Sequence, residues 1–117
     1  MAVVRIYHNP RCSKSRQALE LLEKQGVEAE VIRYLETPPD NATLSELLSK
    51  LNMGARELMR KGEDVYKELN LDDSDLSEAQ LVQAMVDYPK LIERPIVVKG
   101  ETVIVARPPE RVLELFA

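Results

Sequence analysis

Cysteine is nearly absent from this sequence: Cys12 is the only one in 117 residues. A single thiol makes no internal disulfide, which excludes a disulfide scaffold. Histidine is as scarce, with His8 alone. No apolar stretch approaches the ~18 residues of a membrane span, so no membrane association is expected. Met1 to Arg5 shows no basic start leading into an apolar run, so a secretory signal is not expected. A free thiol without such a signal fits a reducing cytoplasm. Repeats, low-complexity tracts and Gly/Ser linkers are missing too, and a chain of this length is expected to form one domain. By surface scaling it buries roughly two-thirds of the surface that its unfolded form exposes, enough for a core without staples. A sequence pI of about 5.1 argues against a nucleic-acid-binding surface over the whole domain.

Acidic residues are also absent from one stretch. The first is Glu20, whereas residues 1–19 carry Arg5, Arg11, Lys14 and Arg16. That segment holds +4 in a chain of net −4, leaving −8 for the rest. Cys12 lies inside it. A local anion site in an otherwise acidic protein is one reading of this pattern, and a solvated basic face is the other.

What is present reads as an ordered series of elements. Val3-Val4-Arg5-Ile6-Tyr7 is β-branched and aromatic and predicts a strand, broken by His8-Asn9-Pro10-Arg11. Ala18, Leu19, Leu21 and Leu22 recur at helical spacing between Ser13 and Gln25, and Gly26 supplies a stop. Val27 to Tyr34 predicts a second strand, which makes a βαβ unit with parallel strands. After the turn-rich Glu36-Thr37-Pro38-Pro39-Asp40, Thr43 is positioned to cap a helix through Leu51, with Glu46 completing a capping box. Ala55–Lys61, Asp64–Leu69 and Glu78–Tyr88 read as further short helices, with a second capping box at Ser77 and Gln80. Pro95–Val98 and Thr102–Val105 flank Lys99-Gly100-Glu101 as a hairpin. Pro108 and Pro109 open a last helix, with Arg111 to Phe116 following. The order βαβ, helical insertion at about 41–90, then ββα predicts an α/β fold, a thioredoxin-like mixed sheet flanked by helices, in a single domain over 1–117.

Cys12 falls where the first strand hands over to the first helix. A helix N-terminus carries about half a positive charge and several free N–H groups, both of which favour thiolate. An ordinary thiol, with a pKa of about 8.5, is only a few per cent ionised at pH 7. Lowering that value by about two units takes about 2.7 kcal/mol, within reach of a helix terminus and one or two guanidinium groups. Cys12-Ser13-Lys14-Ser15 has the spacing of a redox Cys-x-x-Cys motif with Ser15 in the second position. Ser15 has a hydroxyl to offer the sulfur, or is an ordinary first-turn residue. It forms no disulfide, so a redox cycle would need an outside thiol. A protonated His8, four residues before Cys12, would add further stabilisation, as would Arg16.

His8-Asn9-Pro10-Arg11-Cys12-Ser13-Lys14-Ser15-Arg16 resembles the HNPxCxxSR signature of the glutaredoxin-dependent arsenate reductase family, the ArsC type. The likeness continues through Tyr34 to Pro39, Arg56 to Lys61, Leu91 to Val98 and Arg107 to Glu110. It covers essentially the whole chain, and the stop at Ala117 resembles the family's short, YfgD-like branch. The resemblance implies that Cys12 is the nucleophile and that Arg60, Arg94 and Arg107 bind the oxyanion. A planar, permanently charged guanidinium takes a tetrahedral oxyanion bidentately, which lysine does not. It implies a cis Arg94–Pro95 bond, with Pro95 opposite the cysteine. It further implies arsenate or a similar oxyanion as substrate, glutathione as co-substrate, glutaredoxin as partner, and no metal or tightly bound cofactor. Two other functions share this fold. One is a glutathione-linked thiol oxidoreductase acting on another substrate. The other is a Spx-like regulator that binds RNA polymerase, disfavoured here by the HNPxC signature and the three matching arginines.

Overall fold

The computed structural model describes residues 4–93 and 95–116. They fall into two compact units, one from residues 1–37 and 94–117 and one from Pro38–Glu93.

The first unit is built on a four-stranded sheet in the order β2-β1-β3-β4. Strand β1 (Val4–Tyr7) leads into helix α1 (Ser13–Lys24) and returns as β2 (Glu30–Ile32), which pairs parallel to β1. Strand β3 (Ile96–Lys99) runs antiparallel on the other side of β1, and β4 (Thr102–Val105) closes the hairpin on β3. Gly100 turns that hairpin at φ 59°, a backbone conformation that costs glycine nothing. This is the thioredoxin-like mixed sheet that the order of elements predicts.

The buried face of α1 is Ser15, Ala18 and Leu22, spaced three and four residues apart. Ala18 and Leu22 pack with Val4, Ile6, Val97, Ile104, Val112 and Leu115 into one apolar cluster. The C-terminal segment Pro109–Phe116 folds as a 3₁₀ helix against α1, where the spacing alone suggested an ordinary helix. Two cations hold it to the sheet. Arg111 Nη1 donates to the Val105 carbonyl at 3.0 Å, and Lys99 Nζ donates to the Leu115 carbonyl at 2.7 Å beneath the Phe116 ring.

Strand β2 is shorter than the Val27–Tyr34 run predicts. Val27 N–H is taken by the Leu22 carbonyl at the end of α1. The Arg33 carbonyl accepts from both Glu36 and Thr37 in a turn, and the ladder itself runs over three residues, Glu30–Ile32.

The second unit contains helices α2 (Asn41–Leu51), α3 (Ala55–Leu58), α4 (Asp64–Glu68) and α5 (Glu78–Asp87) around Leu44, Leu48, Leu58, Leu81, Met85 and Leu91. The cap of α2 is Asp40, not Thr43. Asp40 Oδ1 accepts the Thr43 N–H at 2.8 Å, which holds its carboxyl below the usual range. The prolines at 38 and 39 deny the helix an earlier start, and the next residue is among the best capping types. The Ser77–Gln80 capping box forms as expected, with both hydrogen bonds in place. Helix α3 stops at Leu58 because Met59 pairs with Ile92 in an antiparallel bridge. The Arg60 N–H then donates to the Leu91 carbonyl at 2.7 Å.

Candidate functional site

The His8–Arg11 loop is tied by its own hydrogen bonds. Asn9, buried, accepts the Arg11 N–H at its Oδ1 and the Cys12 N–H at its carbonyl, each at 3.0 Å. Asparagine suits this place because its side chain folds back on the backbone two residues on. Pro10 offers a carbonyl that accepts from Arg16 Nη1 at 2.9 Å, which ties the first turn of α1 to the loop. Cys12 follows as the N-cap of α1, in extended conformation (φ −93°, ψ 120°) and half-buried. Its carbonyl accepts the first helical bond, from Arg16 N–H at 3.0 Å. Its side chain makes no capping hydrogen bond. The first turn contains no acidic residue. A thiolate here meets the positive end of a helix dipole without a competing carboxylate in that turn.

Ser15 is wholly buried behind this cap. Its Oγ lies 2.6 Å from His8 Nδ1 and accepts the Asn9 N–H at 3.0 Å. Burial lowers the His8 pKa below the ordinary 6.5, and the charges of Arg33 and Arg16 lower it further. Both effects favour the neutral imidazole. With the ring hydrogen on Nε2, Nδ1 takes the Ser15 hydroxyl hydrogen, so His8 and Ser15 lock each other in place.

The three arginines stand at different points of the chain. Arg107 follows β4, exposed, with its N–H bonded to the Val105 carbonyl at 2.9 Å and a cis bond to Pro108. Arg60 belongs to the helical unit, where Glu93 holds its Nη1 at 3.2 Å and Glu63 lies 3.5 Å from its Nε. The second contact is an ion pair without hydrogen-bond geometry, since the buried Nε has no hydrogen-bond partner. Arg94, and with it the Arg94–Pro95 bond expected to be cis, lies outside the described residues. Pro95 itself is buried, and its carbonyl accepts the Ala106 N–H at 2.8 Å.

One part of the site carries no signature in the sequence. The His8 N–H donates to the Ile32 carbonyl at 2.8 Å, extending the β1–β2 register and bringing Arg33 beside the loop. A cleft of about 240 Å³ opens there, lined by the His8–Arg11 loop and by Arg33, Leu35 and Glu36. The one available signal was the βαβ pattern, because clefts in α/β sheets lie at the carboxyl ends of the strands. Among the described residues no His, Cys, Asp and Glu side chains group as a metal site would require. No helix among them is long and apolar enough to cross a membrane.

The model of the ArsC family matches residues 7–115. An Escherichia coli protein named as the uncharacterized protein YfgD is 66% identical over 96% of this chain and 95% of its own. A Neisseria meningitidis protein named arsenate reductase is 49% identical over 96% of this chain and 97% of its own. The solved structure of an arsenate reductase from Vibrio cholerae superposes with a TM-score of 0.94 at 54% identity, covering 97% of both chains.

Proposed function

The chain belongs to the ArsC family, and from that membership we propose that it reduces arsenate to arsenite through a Cys12 thiolate, with glutathione and glutaredoxin supplying the electrons. The observation that carries this reading is the position of Cys12: the N-cap of α1, half-buried, with no acidic residue in the turn that follows. A thiol at a helix N-terminus is activated as a nucleophile.

The reaction then runs in three stages. Arsenate is neutralised by Arg60, Arg94 and Arg107, which removes the repulsion between two anions. The Cys12 sulfur attacks arsenic, and an arsenic–oxygen bond breaks with oxygen leaving as water or hydroxide, giving a sulfur–arsenate adduct. Glutathione then attacks. The sulfur–arsenic bond breaks, its electron pair reduces arsenic from the pentavalent to the trivalent state, and Cys12 is left in a mixed disulfide with glutathione. Glutaredoxin reduces that disulfide and restores the thiolate. Ser15, buried and bonded to His8, forms no internal disulfide, so the external thiol is obligatory. Arg16 and Ser15 hold the loop that presents the thiolate. The cycle calls for no metal or tightly bound cofactor and suits a reducing cytoplasm. Phosphate matches arsenate in shape and charge, so selectivity rests on the fact that thiols do not reduce phosphorus.

A coupled assay tests this: arsenate, glutathione, glutaredoxin and NADPH-dependent glutathione reductase, following NADPH loss. Wild-type protein turns over, Cys12→Ser does not, and Arg94→Ala is about tenfold or more weaker, as removal of one charge-stabilising donor predicts. Activity surviving in Cys12→Ser overturns the mechanism. Mixed-disulfide chemistry at Cys12 without arsenate turnover assigns the protein instead to thiol oxidoreduction of another substrate. Capture of the polymerase α-subunit without reductase activity assigns it to regulation.

A further inference from the structure

Two guanidinium groups in the first unit are unspent among the described residues. Arg11 and Arg33 line the cleft at the ends of β1 and β2. Neither side chain makes a hydrogen bond or an ion pair among the described residues, although the chain carries 20 acidic residues against 16 basic ones. Glu36 stands in the same wall, equally without a side-chain partner. Elsewhere this protein pairs such charges readily: Arg5 with Glu30, Arg111 with Glu114, Arg60 with Glu63 and Glu93. Two cations and one anion left open around a cleft complement a ligand with two carboxylates and one ammonium. Leu35, 44% exposed, and Pro10 supply apolar surface between them. The cleft, at about 240 Å³, is below the ~300 Å³ at which pockets begin to bury a whole drug-sized ligand. It suits a ligand held by its charged ends with the remainder in solvent.

We propose that this cleft is the docking site of the thiol co-substrate: Arg11 and Arg33 receive the two carboxylates of glutathione, and Glu36 receives its ammonium group. The inference rests on the reading of the protein as a glutathione-dependent reductase and adds the place where glutathione binds. Cys12 immediately follows Arg11, and the hydrogen bond from His8 N–H to the Ile32 carbonyl fixes the loop against the strand that ends at Arg33. A tripeptide anchored across these charges presents its central cysteine to the neighbourhood of the Cys12 sulfur. A permanently charged, planar fork suits carboxylate recognition better than an ammonium does.

The test separates docking from arsenate chemistry by using disulfides alone. The Cys12 thiolate attacks one sulfur of oxidised glutathione, a Cys12–glutathione bond forms, the original sulfur–sulfur bond breaks, and one glutathione thiolate leaves. The same exchange with hydroxyethyl disulfide, which has no charged group, reports the reactivity of the sulfur itself. The ratio of the two rates, followed by intact-mass spectrometry, measures recognition. We expect that ratio to fall about fivefold in Arg33→Glu and in Glu36→Lys, the upper range for losing an exposed ion pair. Arg33→Lys restores part of it, because the charge returns without the fork. Both positions are exposed, and urea midpoints identify any variant that is not folded. An unchanged ratio in the charge-reversed variants overturns the docking site and leaves the arsenate reading intact. A reduced ratio in a protein whose wild type fails the arsenate assay keeps the docking site and overturns the arsenate reading.

Discussion

His8 Nδ1 and Ser15 Oγ lie 2.6 Å apart, both side chains buried, in the loop and helix on either side of the only cysteine. Ser15 also accepts the Asn9 N–H. One hydroxyl thereby sets the loop that carries Cys12 and the imidazole behind it.

Ser15→Ala removes that hydroxyl with little change of shape. It leaves a buried imidazole nitrogen and a backbone N–H without their partner, which costs about 1–3 kcal/mol. Urea unfolding followed by circular dichroism is expected to show that loss, and a midpoint equal to the wild type's contradicts the arrangement.

Stability is expected to depend on pH through His8. Its folded-state pKa lies below 6.5, so on acidification the unfolded chain takes up a proton before the folded protein does. The folded state therefore loses stability as pH falls from about 6.5 towards the folded-state value, and gains nothing from the group above 6.5. His8→Gln removes this component. The difference between urea midpoints at pH 7.5 and pH 5.5, one condition above 6.5 and one below it, shrinks in the variant.

Leu22 is wholly buried in the cluster between α1 and the sheet. Leu22→Ala is expected to cost about 2–5 kcal/mol, read from denaturant unfolding, whereas Leu22→Met costs less than about 1.5 kcal/mol.

Helix α5 begins at a complete capping box. Ser77→Ala is expected to destabilise the protein by about 1 kcal/mol, and Ser77→Asp, which keeps an acceptor at the cap, by much less. Hydrogen exchange at the amides of Leu81 and Val82 localises the effect to this helix.

Much of this is legible in the sequence because it is local. Ala18 and Leu22, at helical spacing, announce the buried stripe of α1, and Lys99-Gly100-Glu101 announces the hairpin. Cys12 sits between a strand and a helix whichever way the chain is read. Local competition is harder to see. Thr43 and Asp40 both suit a cap, and in the fold Asp40 accepts the N–H of Thr43 itself. Strand β2 loses residues at both ends to hydrogen bonds made by Val27, Glu36 and Thr37. Partnerships across distant sequence leave no local trace at all. The register that brings Arg33 beside His8 belongs to this class, as does the pairing of Arg60 with Glu93. The same limit applies to the charge of His8, which depends on burial and on two arginines far apart along the chain.

Helix α1 has Cys12 at one end and Ala18 and Leu22 in the apolar cluster further along. The Cys12 thiol therefore has no hinge between itself and the core. A library of stabilising substitutions along that helix would double as a library of altered thiol reactivity, and a simple alkylation rate would sort its members without an enzymatic assay.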